Sequence, residues 1–432
     1  MQVPEASVEP VEDFRRRLHP WLEDNVPRAK RPGWGMGMTQ GQLSDDEELA
    51  EVAHQRDLQR RLFDAGFAGI CFPKEYGGQG LTPAHQQAFD EEIWPYEWPF
   101  RLQVPTLQPC ATVILDYGTE EQKRQHLPAI LCGEEIWMQL LSEPTGGSDV
   151  AGAQTTAMRD GDEWVLNGSK IWTTGAWWAD WGLCLARTNW DVPKHRGLSV
   201  FMLRLHQPNI EVHRIEMLNG SREFCQEFLT DVRVPDTDRI GEVNQGWTVG
   251  SRWMFYEKSF GMLSFTTRPT PPTGVEASGG FRAGGVGAAY VSEARRAGRL
   301  DDAATRELIG EAHALSLASS EGMSRIGKAM ATGKLSNQAA GLTKIIGGTL
   351  GIRQSNIALQ LTGSSAAAWT EENEAAGARG TAFLVRQTGQ IAGGTLEMSR
   401  NVVSERLLGM PRELSVDRDV PFRDVPRGPS AH

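Results

Sequence analysis

The chain has 432 residues, 40% of them hydrophobic, which is enough for two or three domains with sizeable cores. Its 44 Lys and Arg residues against 55 Asp and Glu residues give a formal charge of −11, which disfavours nucleic acid or an anionic membrane as a partner. The five cysteines are odd in number and widely spaced, so we expect reduced thiols, no metal site and a cytoplasmic protein. No apolar stretch has the length of a signal core or a membrane span, so none is expected.

The first third of the chain shows helical periodicity. Apolar residues recur at helical spacing in 11–27, 45–66, 83–93 and 105–117, and Thr119 is placed to cap a further helix. The stretch 69–80 contains Pro-Lys-Glu-Tyr-Gly-Gly and interrupts this pattern, and we interpret it as a tight turn between helices. An N-terminal helical domain is therefore predicted for residues 1–137.

From residue 138 the pattern changes to the alternation typical of β-strands. Candidate strands are 181–188, 198–205, 210–217 and 223–233. Two earlier candidates, 163–166 and 170–174, flank Asn167-Gly168, a dipeptide typical of a type I′ hairpin turn. These strands predict a middle β domain over residues 138–243.

Helical periodicity returns at residue 244. Helices are expected at 303–331, 337–359 and 374–388, which predicts a C-terminal helical domain over 244–414, followed by a loose tail over 415–432. The insertion 266–288 is rich in Pro and Gly, so we expect it to be irregular. The predicted fold class is α+β, with an N-terminal helical domain, a central β-barrel or sandwich domain and a C-terminal helical bundle.

Chemistry is suggested by residues 142–149, which read Ser-Glu-Pro-Thr-Gly-Gly-Ser-Asp. Such a loop can present backbone N–H groups and a hydroxyl to a phosphate, because glycine allows close approach to the backbone. In the strand that follows, Trp172 and Thr174 share one face, and a flat ring beside a hydroxyl suits a planar heteroaromatic ligand. An ordinary hairpin with a core Trp accounts for this local pattern equally well.

Taken together, these two stretches resemble the middle-domain signature of the acyl-CoA dehydrogenase family, and residues 69–80, 223–258 and 391–411 resemble other parts of it. The resemblance implies FAD-dependent α,β-dehydrogenation of an acyl-CoA thioester. A base would remove the α proton while the β hydrogen leaves as hydride to the flavin, and an electron-transfer flavoprotein would accept the electrons. A tetramer built as a dimer of dimers, from one chain or two, is also implied, with a role in fatty acid or steroid degradation.

The flavin-binding residues that the resemblance implies fall into two groups. The first group would contact the isoalloxazine ring and the pyrophosphate, and consists of Leu141, Ser142, Gly147, Ser148, Trp172 and Thr174. The second group would hold the adenine side, and consists of Gln360, Gly363, Thr395 and Glu397. Three neighbouring tryptophans, at positions 177, 178 and 181, are interpreted as packing residues.

The position of the base departs from the commoner family pattern. Most members carry a Glu just before the C-terminal Gly-Thr, where this chain has Gly393, whose backbone N–H could still donate to the thioester carbonyl. Other members carry the base on the first long C-terminal helix, and that position matches Glu257. Aromatic neighbours would raise the pKa of this carboxyl. We expect Glu257 to be the base, with an inactive or incomplete site as the alternative.

Other departures keep alternative functions open. The family's R-x-x-F-G segment, which helps to hold the flavin of a neighbouring subunit, has no counterpart in 293–302, and this favours an assembly of two different chains. One alternative is a non-catalytic partner subunit of such a heteromer. Another is a flavin oxidase or oxygenase on the same fold. Small residues at 363–365 and the insertion 266–288 suggest room for a branched or steroid acyl group.

Overall fold

The computed structural model describes residues 8–29, 43–258, 267, 269–270, 286–368, 374–415 and 417–426. Its N-terminal part is helical, as predicted. The helices are α1 Val11–Asn25, α2 Asp45–Asp64, α3 Pro83–Glu92, α4 Phe100–Leu102, α5 Thr112–Tyr117 and α6 Glu120–Leu131. Between α4 and α5 the chain forms a π-helical segment, Gln103–Ala111, in the region predicted as one helix. Pro109 lies inside this segment and has no N–H to donate to a regular helical ladder.

Helix α2 shows how local sequence fixes these elements. Ser44 caps its N-terminus, accepting a hydrogen bond from the Glu47 amide while the Glu47 carboxylate accepts one from the Ser44 amide at 2.8 Å. One face of the helix then buries Leu58 and Leu62 against Phe14 of α1 in the core of the N-terminal domain. The capped end and the apolar face together set where this helix begins and how it packs.

An eight-stranded sheet forms the middle of the molecule. Its strands are β1 Trp137–Leu140, β2 Thr156–Asp160, β3 Glu163–Thr174, β4 Trp181–Arg187, β5 Leu198–Arg204, β6 Ile210–Ile215, β7 Phe224–Pro235 and β8 Arg239–Ile240. The order is β6-β7-β3-β2-β4-β5-β8, with β1 paired to β4. Most neighbours are antiparallel, and only β1 and β2 pair in parallel with β4. The predicted central β domain is confirmed.

The hairpin turn predicted at Asn167-Gly168 is wrong. Strand β3 runs without interruption through these residues, because β7 is equally long and pairs with both halves of it. A register irregularity lies between Leu166 and Gly168, and a Cβ at Gly168 would approach Thr155 Oγ1 to 2.6 Å. Glycine is therefore needed here for close packing against a neighbouring segment and not for a turn.

Helix α7, Gly246–Lys258, packs against the π-helical segment, α5, β4 and β5. Its residues Trp253 and Tyr256 are buried in a core that is shared with the N-terminal and middle domains. Beyond it, the C-terminal bundle consists of α8 Val286–Arg296, α9 Ala303–Ala331, α10 Ala340–Thr362, α11 Glu374–Val385, α12 Thr388–Ile391 and α13 Leu396–Val402. Helix α9 has the bounds that the sequence predicted, and the C-terminal helical bundle is confirmed.

Two expectations about irregular segments have different outcomes. In the insertion 266–288, residues 266, 268 and 271–285 lie outside the described part of the chain. Residues 267, 269 and 270 belong to no helix or strand, as expected, whereas residues 286–288 belong to α8, where the expectation is wrong. The loose tail expected over 415–432 is not what the structure shows for residues 417–426. These residues return to the middle domain, where Phe422 is only 3% exposed and Pro421 forms a β-bridge with Pro193.

Candidate functional site

The loop with the Ser-Glu-Pro-Thr-Gly-Gly-Ser-Asp sequence leaves the end of β1 and is anchored to β3. Leu141 is buried in the shared core, and the Ser142 carbonyl accepts a hydrogen bond from the Ile171 amide at 3.0 Å. A pair of backbone bonds between Glu143 and Gly146, at 3.2 and 3.0 Å, closes the turn that follows. Residues 147 and 148 are exposed beyond this turn. We call residues 142–153 the motif loop.

A buried ion pair joins the motif loop to β3. Lys170 is fully buried, and its ammonium donates to the Glu143 carboxylate at 2.8 Å and to the Leu141 carbonyl at 3.2 Å. Glu143 also accepts from the amides of Gln154 and Thr155, at 2.6 and 2.9 Å. Burial alone would raise the pKa of Glu143, but Lys170 and these hydrogen bonds outweigh it, so the pKa is lowered and the carboxylate stays charged.

Trp172 and Thr174 are both exposed on β3, on the opposite face from the buried Thr173. Trp172 is 52% exposed and has a φ of +67°, a conformation that bulky residues rarely adopt. A register irregularity between Ile171 and Thr173 accommodates it. The structure thus holds a large flat ring in a costly backbone conformation at an exposed position, which is typical of a functional site.

Glu257 is a half-buried residue in the last turn of α7. Burial raises the pKa of the nearby Cys110 thiol well above its usual value, and the charge of Glu257 raises it further. One turn earlier on the same face, Trp253 donates from its indole nitrogen to the Gln139 side chain at 2.5 Å. Because Gln139 lies two residues before Leu141, helix α7 is fixed directly against the start of the motif loop.

The second group of predicted site residues lies in the C-terminal bundle. Thr395 caps α13, accepting from the Met398 amide at 3.2 Å, and Glu397 forms an ion pair with Arg400. Gly393 is exposed with a φ of +68°, Gly363 ends α10 with the same φ, and Gln360 lies in the last turn of α10. Within the described residues, no hydrogen bond or ion pair joins Gly393, Thr395 or Glu397 to the motif loop or to β3.

Comparison with known proteins identifies the family of this chain. Residues 41–134 match the model of the acyl-CoA dehydrogenase N-terminal domain, and residues 139–232 match that of the acyl-CoA dehydrogenase middle domain. The acyl-CoA dehydrogenase IpdE1 of Mycolicibacterium smegmatis is 30% identical over 417 residues, which cover 94% of this chain and 99% of the relative. The chain belongs to the acyl-CoA dehydrogenase family.

Solved structures share this fold over most of the chain. The Tcur3481-Tcur3483 steroid ACAD has a TM-score of 0.71 and 27% identity, over 94% of this chain and 99% of that chain. The ChsE4-ChsE5 complex from Mycobacterium tuberculosis has a TM-score of 0.66 and 25% identity, over 95% and 100% of the respective chains. The predicted family, fold class and class of enzyme, an acyl-CoA dehydrogenase, are therefore confirmed.

Several buried charges of this acyl-CoA dehydrogenase were not assigned a role from sequence. Lys170 and Glu143 lie within the recognised motifs, and Glu227 is the β7 partner of Lys170 in the strand register. Burial raises the pKa of Glu227 to about 8, and Thr173 donates to one of its oxygens at 2.8 Å. In the sequence, these residues could have been found because a charged residue stands at an inward-facing position of an alternating strand, where an apolar residue is usual.

In the described part of the chain, no helix combines the length and the apolar character needed to cross a membrane.

Five cysteines are free thiols, and Cys71, Cys184 and Cys225 each have a pKa raised by burial to about 12. Thiols with such pKa values are protonated near neutral pH and are poor nucleophiles.

Proposed function

We propose that this chain catalyses the FAD-dependent α,β-dehydrogenation of an acyl-CoA thioester and passes the electrons to an electron-transfer flavoprotein. The observation that carries the proposal is the exposed Trp172, held at a φ of +67° beside the exposed Thr174, next to a loop that carries the family signature. The chain's family membership supports the reaction class.

The residues present fit FAD at this position. Trp172 offers an aromatic surface to a flat ring system, and Leu141 and Ser142 lie at the adjoining end of β1. The exposed backbone of Gly147 and Ser148 would hold the pyrophosphate, because neither residue is covered by other parts of the chain. FAD, when bound, accepts the β hydrogen and two electrons.

Glu257 is the residue that we propose to remove the α proton. It is half-buried in the last turn of α7, directly after the buried Tyr256 and one turn after the buried Trp253, and its charge acts on the buried Cys110. A positioned carboxylate is a common general base. Gly393 has no side chain for this role. Its backbone amide could donate to the thioester carbonyl. In the single chain, Gly393 is exposed in the C-terminal bundle, close in sequence to Thr395 and Glu397.

A multichain enzyme accounts for the separation of the two groups of site residues. We propose that the second group (Gln360, Gly363, Thr395 and Glu397) contacts the adenine side of FAD across an interface between subunits, in a homo- or hetero-oligomer arranged as a dimer of dimers. Two of the structurally similar proteins are named as pairs of different chains, and one of them as a steroid ACAD. A bulky or steroid acyl-CoA is accordingly the proposed substrate class, and the free thiols fit a cytoplasmic enzyme.

One observation favours a second candidate, a non-catalytic partner subunit. Glycine stands at 393, where most family members place the base. In that case the chain would complete the flavin site of another subunit without removing a proton itself. The two candidates differ in whether replacing Glu257 affects the reaction.

The test is to purify the chain alone and together with a co-expressed second family member, and to measure the flavin spectrum of each. Under anaerobic conditions, a steroid-type and a straight-chain acyl-CoA are then added, and bleaching of the flavin absorbance is followed. We expect bound FAD and bleaching by the bulky thioester. Absence of flavin from every preparation would contradict the proposed function, and rapid reoxidation by air would indicate an oxidase.

A further inference from the structure

The described C-terminal residues 417–426, which we call the strap, pack onto the loop between β4 and β5. The Phe422 amide donates to the Val192 carbonyl at 2.9 Å, and the Arg423 amide donates to the Trp190 carbonyl at 3.0 Å. The ring of Phe422 stacks on Trp190 at 5.4 Å between centroids, with an interplanar angle of 27°. A buried aromatic anchor and two backbone bonds therefore fix the strap in place.

Two cations connect this docked strap to the motif loop. Lys194 donates to Asp149 of the motif loop at 2.8 Å and to Asp417 of the strap at 3.2 Å. Burial lowers the pKa of Lys194, but its bonds to these two carboxylates outweigh that effect and raise it, so the bridge keeps its charge at neutral pH. Loss of Asp417 would remove one of the two anions that hold this ammonium group.

The second cation, Arg187, is fully buried beneath Phe422. Its guanidinium lies 3.7 Å from the centre of the Phe422 ring, and it donates to the carbonyls of Ala151 and Ala153 at 2.6 and 2.9 Å. The same group donates to the Lys194 carbonyl at 3.1 Å. Phe422 thus covers the cation that holds the last residues of the motif loop.

From these contacts we infer that the strap preorganises the motif loop for the flavin pyrophosphate, with Lys194, Asp417 and Phe422 as positioning residues. The inference rests on the proposed function for the identity of the ligand. The coupling between strap and loop does not depend on it. If loss of the strap reduces the fraction of loops in the binding conformation to about one tenth, the dissociation constant for FAD rises about tenfold.

The experiment compares Phe422→Ala and Asp417→Asn with wild type, using the full chain in the assembly in which it is purified. Amide hydrogen exchange is measured for Gly152 to Thr155, and the dissociation constant for FAD is measured from the fluorescence of the FAD released on serial dilution. Phe422→Ala should accelerate exchange and raise the dissociation constant about tenfold. Asp417→Asn should change both quantities about two- to fivefold, as expected for one partly exposed ion pair.

Two further variants separate positioning from general stability. Asp419→Asn makes the same change of charge at an exposed residue of the strap and should leave the exchange rate and the dissociation constant at wild-type values. Asp417→Glu keeps the charge and should restore slow exchange. Unchanged exchange at Gly152 to Thr155 in both Phe422→Ala and Asp417→Asn would overturn the inference. A wild-type protein without FAD but with faster exchange in the variants would count against the proposed function alone.

Discussion

Lys170 and Glu143 form a buried ion pair, with 2.8 Å between the ammonium nitrogen and the carboxylate oxygen. The pair links the two halves of the family signature, because Glu143 belongs to the motif loop and Lys170 belongs to the strand that presents Trp172. Because the two residues are 27 positions apart, local sequence patterns do not predict their contact. It also explains why a loop of small and polar residues keeps a defined position beside β3.

Removing one partner of this pair should be costly. Lys170→Met leaves the Glu143 carboxylate buried without its cation, and we expect the free energy of unfolding to fall by about 3–5 kcal/mol. Urea unfolding at pH 7 measures the change. The control is Arg233→Met, which removes the exposed ion pairs of β7 with Asp160 of β2 and Glu163 of β3 and should cost much less. Equal losses in the two variants would refute the role assigned to burial.

Glu227 predicts a pH dependence of stability. Its pKa in the folded protein is raised to about 8 by burial, from an ordinary value of 4.5, so the folded state binds the proton more tightly than the unfolded state. The free energy of unfolding should therefore decrease as the pH rises from 4.5 to about 8. Each pKa unit corresponds to about 1.4 kcal/mol, so the total decrease amounts to several kcal/mol.

Glu227→Gln should remove this part of the pH dependence, because the amide is neutral throughout and its oxygen can still accept from Thr173. Urea unfolding of wild type and variant at pH 5, 6, 7 and 8 makes the comparison. Glu216→Gln, an exposed position after β6, should follow the wild-type curve. Parallel curves for wild type and Glu227→Gln would contradict the raised pKa.

Gly168 offers a test of the corrected strand assignment. A Cβ at this position would lie 2.6 Å from Thr155 Oγ1 and 2.7 Å from Thr155 Cα, so Gly168→Ala should cost about 1–3 kcal/mol through overpacking, with added backbone strain. Gly161→Ala, in the turn between β2 and β3, meets no atom within 4 Å and should cost only about 1 kcal/mol for its φ of +64°. Thermal unfolding of both variants measures the difference. If Gly168 lay in an open turn and not in a packed strand, Gly168→Ala and Gly161→Ala would lower the stability by the same amount.

The domain pattern was predictable from sequence because it depends on periodicity. The bounds of α9 and the change from helices to strands follow from residue spacing within each segment. The hairpin turn predicted at Asn167-Gly168 was wrong because pairing of β3 with the whole of β7 outweighs the local turn signal. The docked strap was missed because its anchor, Phe422, acquires partners only when the fold brings Arg187 and Trp190 to it.

Of the two groups of candidate site residues, only the first comes from segments that the described structure joins. Residues of the motif loop and β3 lie close together in sequence and are joined in the structure by the bond from Ile171 to Ser142. Gly393, Thr395 and Glu397 lie in a separate bundle, and the role proposed for them requires contact between subunits, which residue spacing within one chain does not predict. The charges that support the loop, Lys170 and Arg187, required knowledge of burial.

The proposed role of Glu257 as the base can also be tested by a substitution at Gly393. A Cβ at Gly393 meets no atom within 4 Å, so Gly393→Glu has space, although its φ of +68° makes the substitution cost about 1–2 kcal/mol. If this position faces the substrate in the assembled enzyme, the double variant Glu257→Gln/Gly393→Glu should recover part of the flavin reduction lost in Glu257→Gln. Stopped-flow absorbance of the two variants decides this. No recovery would show that Gly393 does not approach the reacting carbon.

The most direct measurement is the rate at which an acyl-CoA bleaches the flavin in a single anaerobic turnover of Glu257→Gln. The near-isosteric change should leave folding and flavin content as in wild type. We expect a rate lower by about two to four orders of magnitude, which is the contribution of a positioned general base. A rate close to that of wild type would contradict Glu257 as the base, and the proton would then be removed by a residue outside α7 or on a partner subunit.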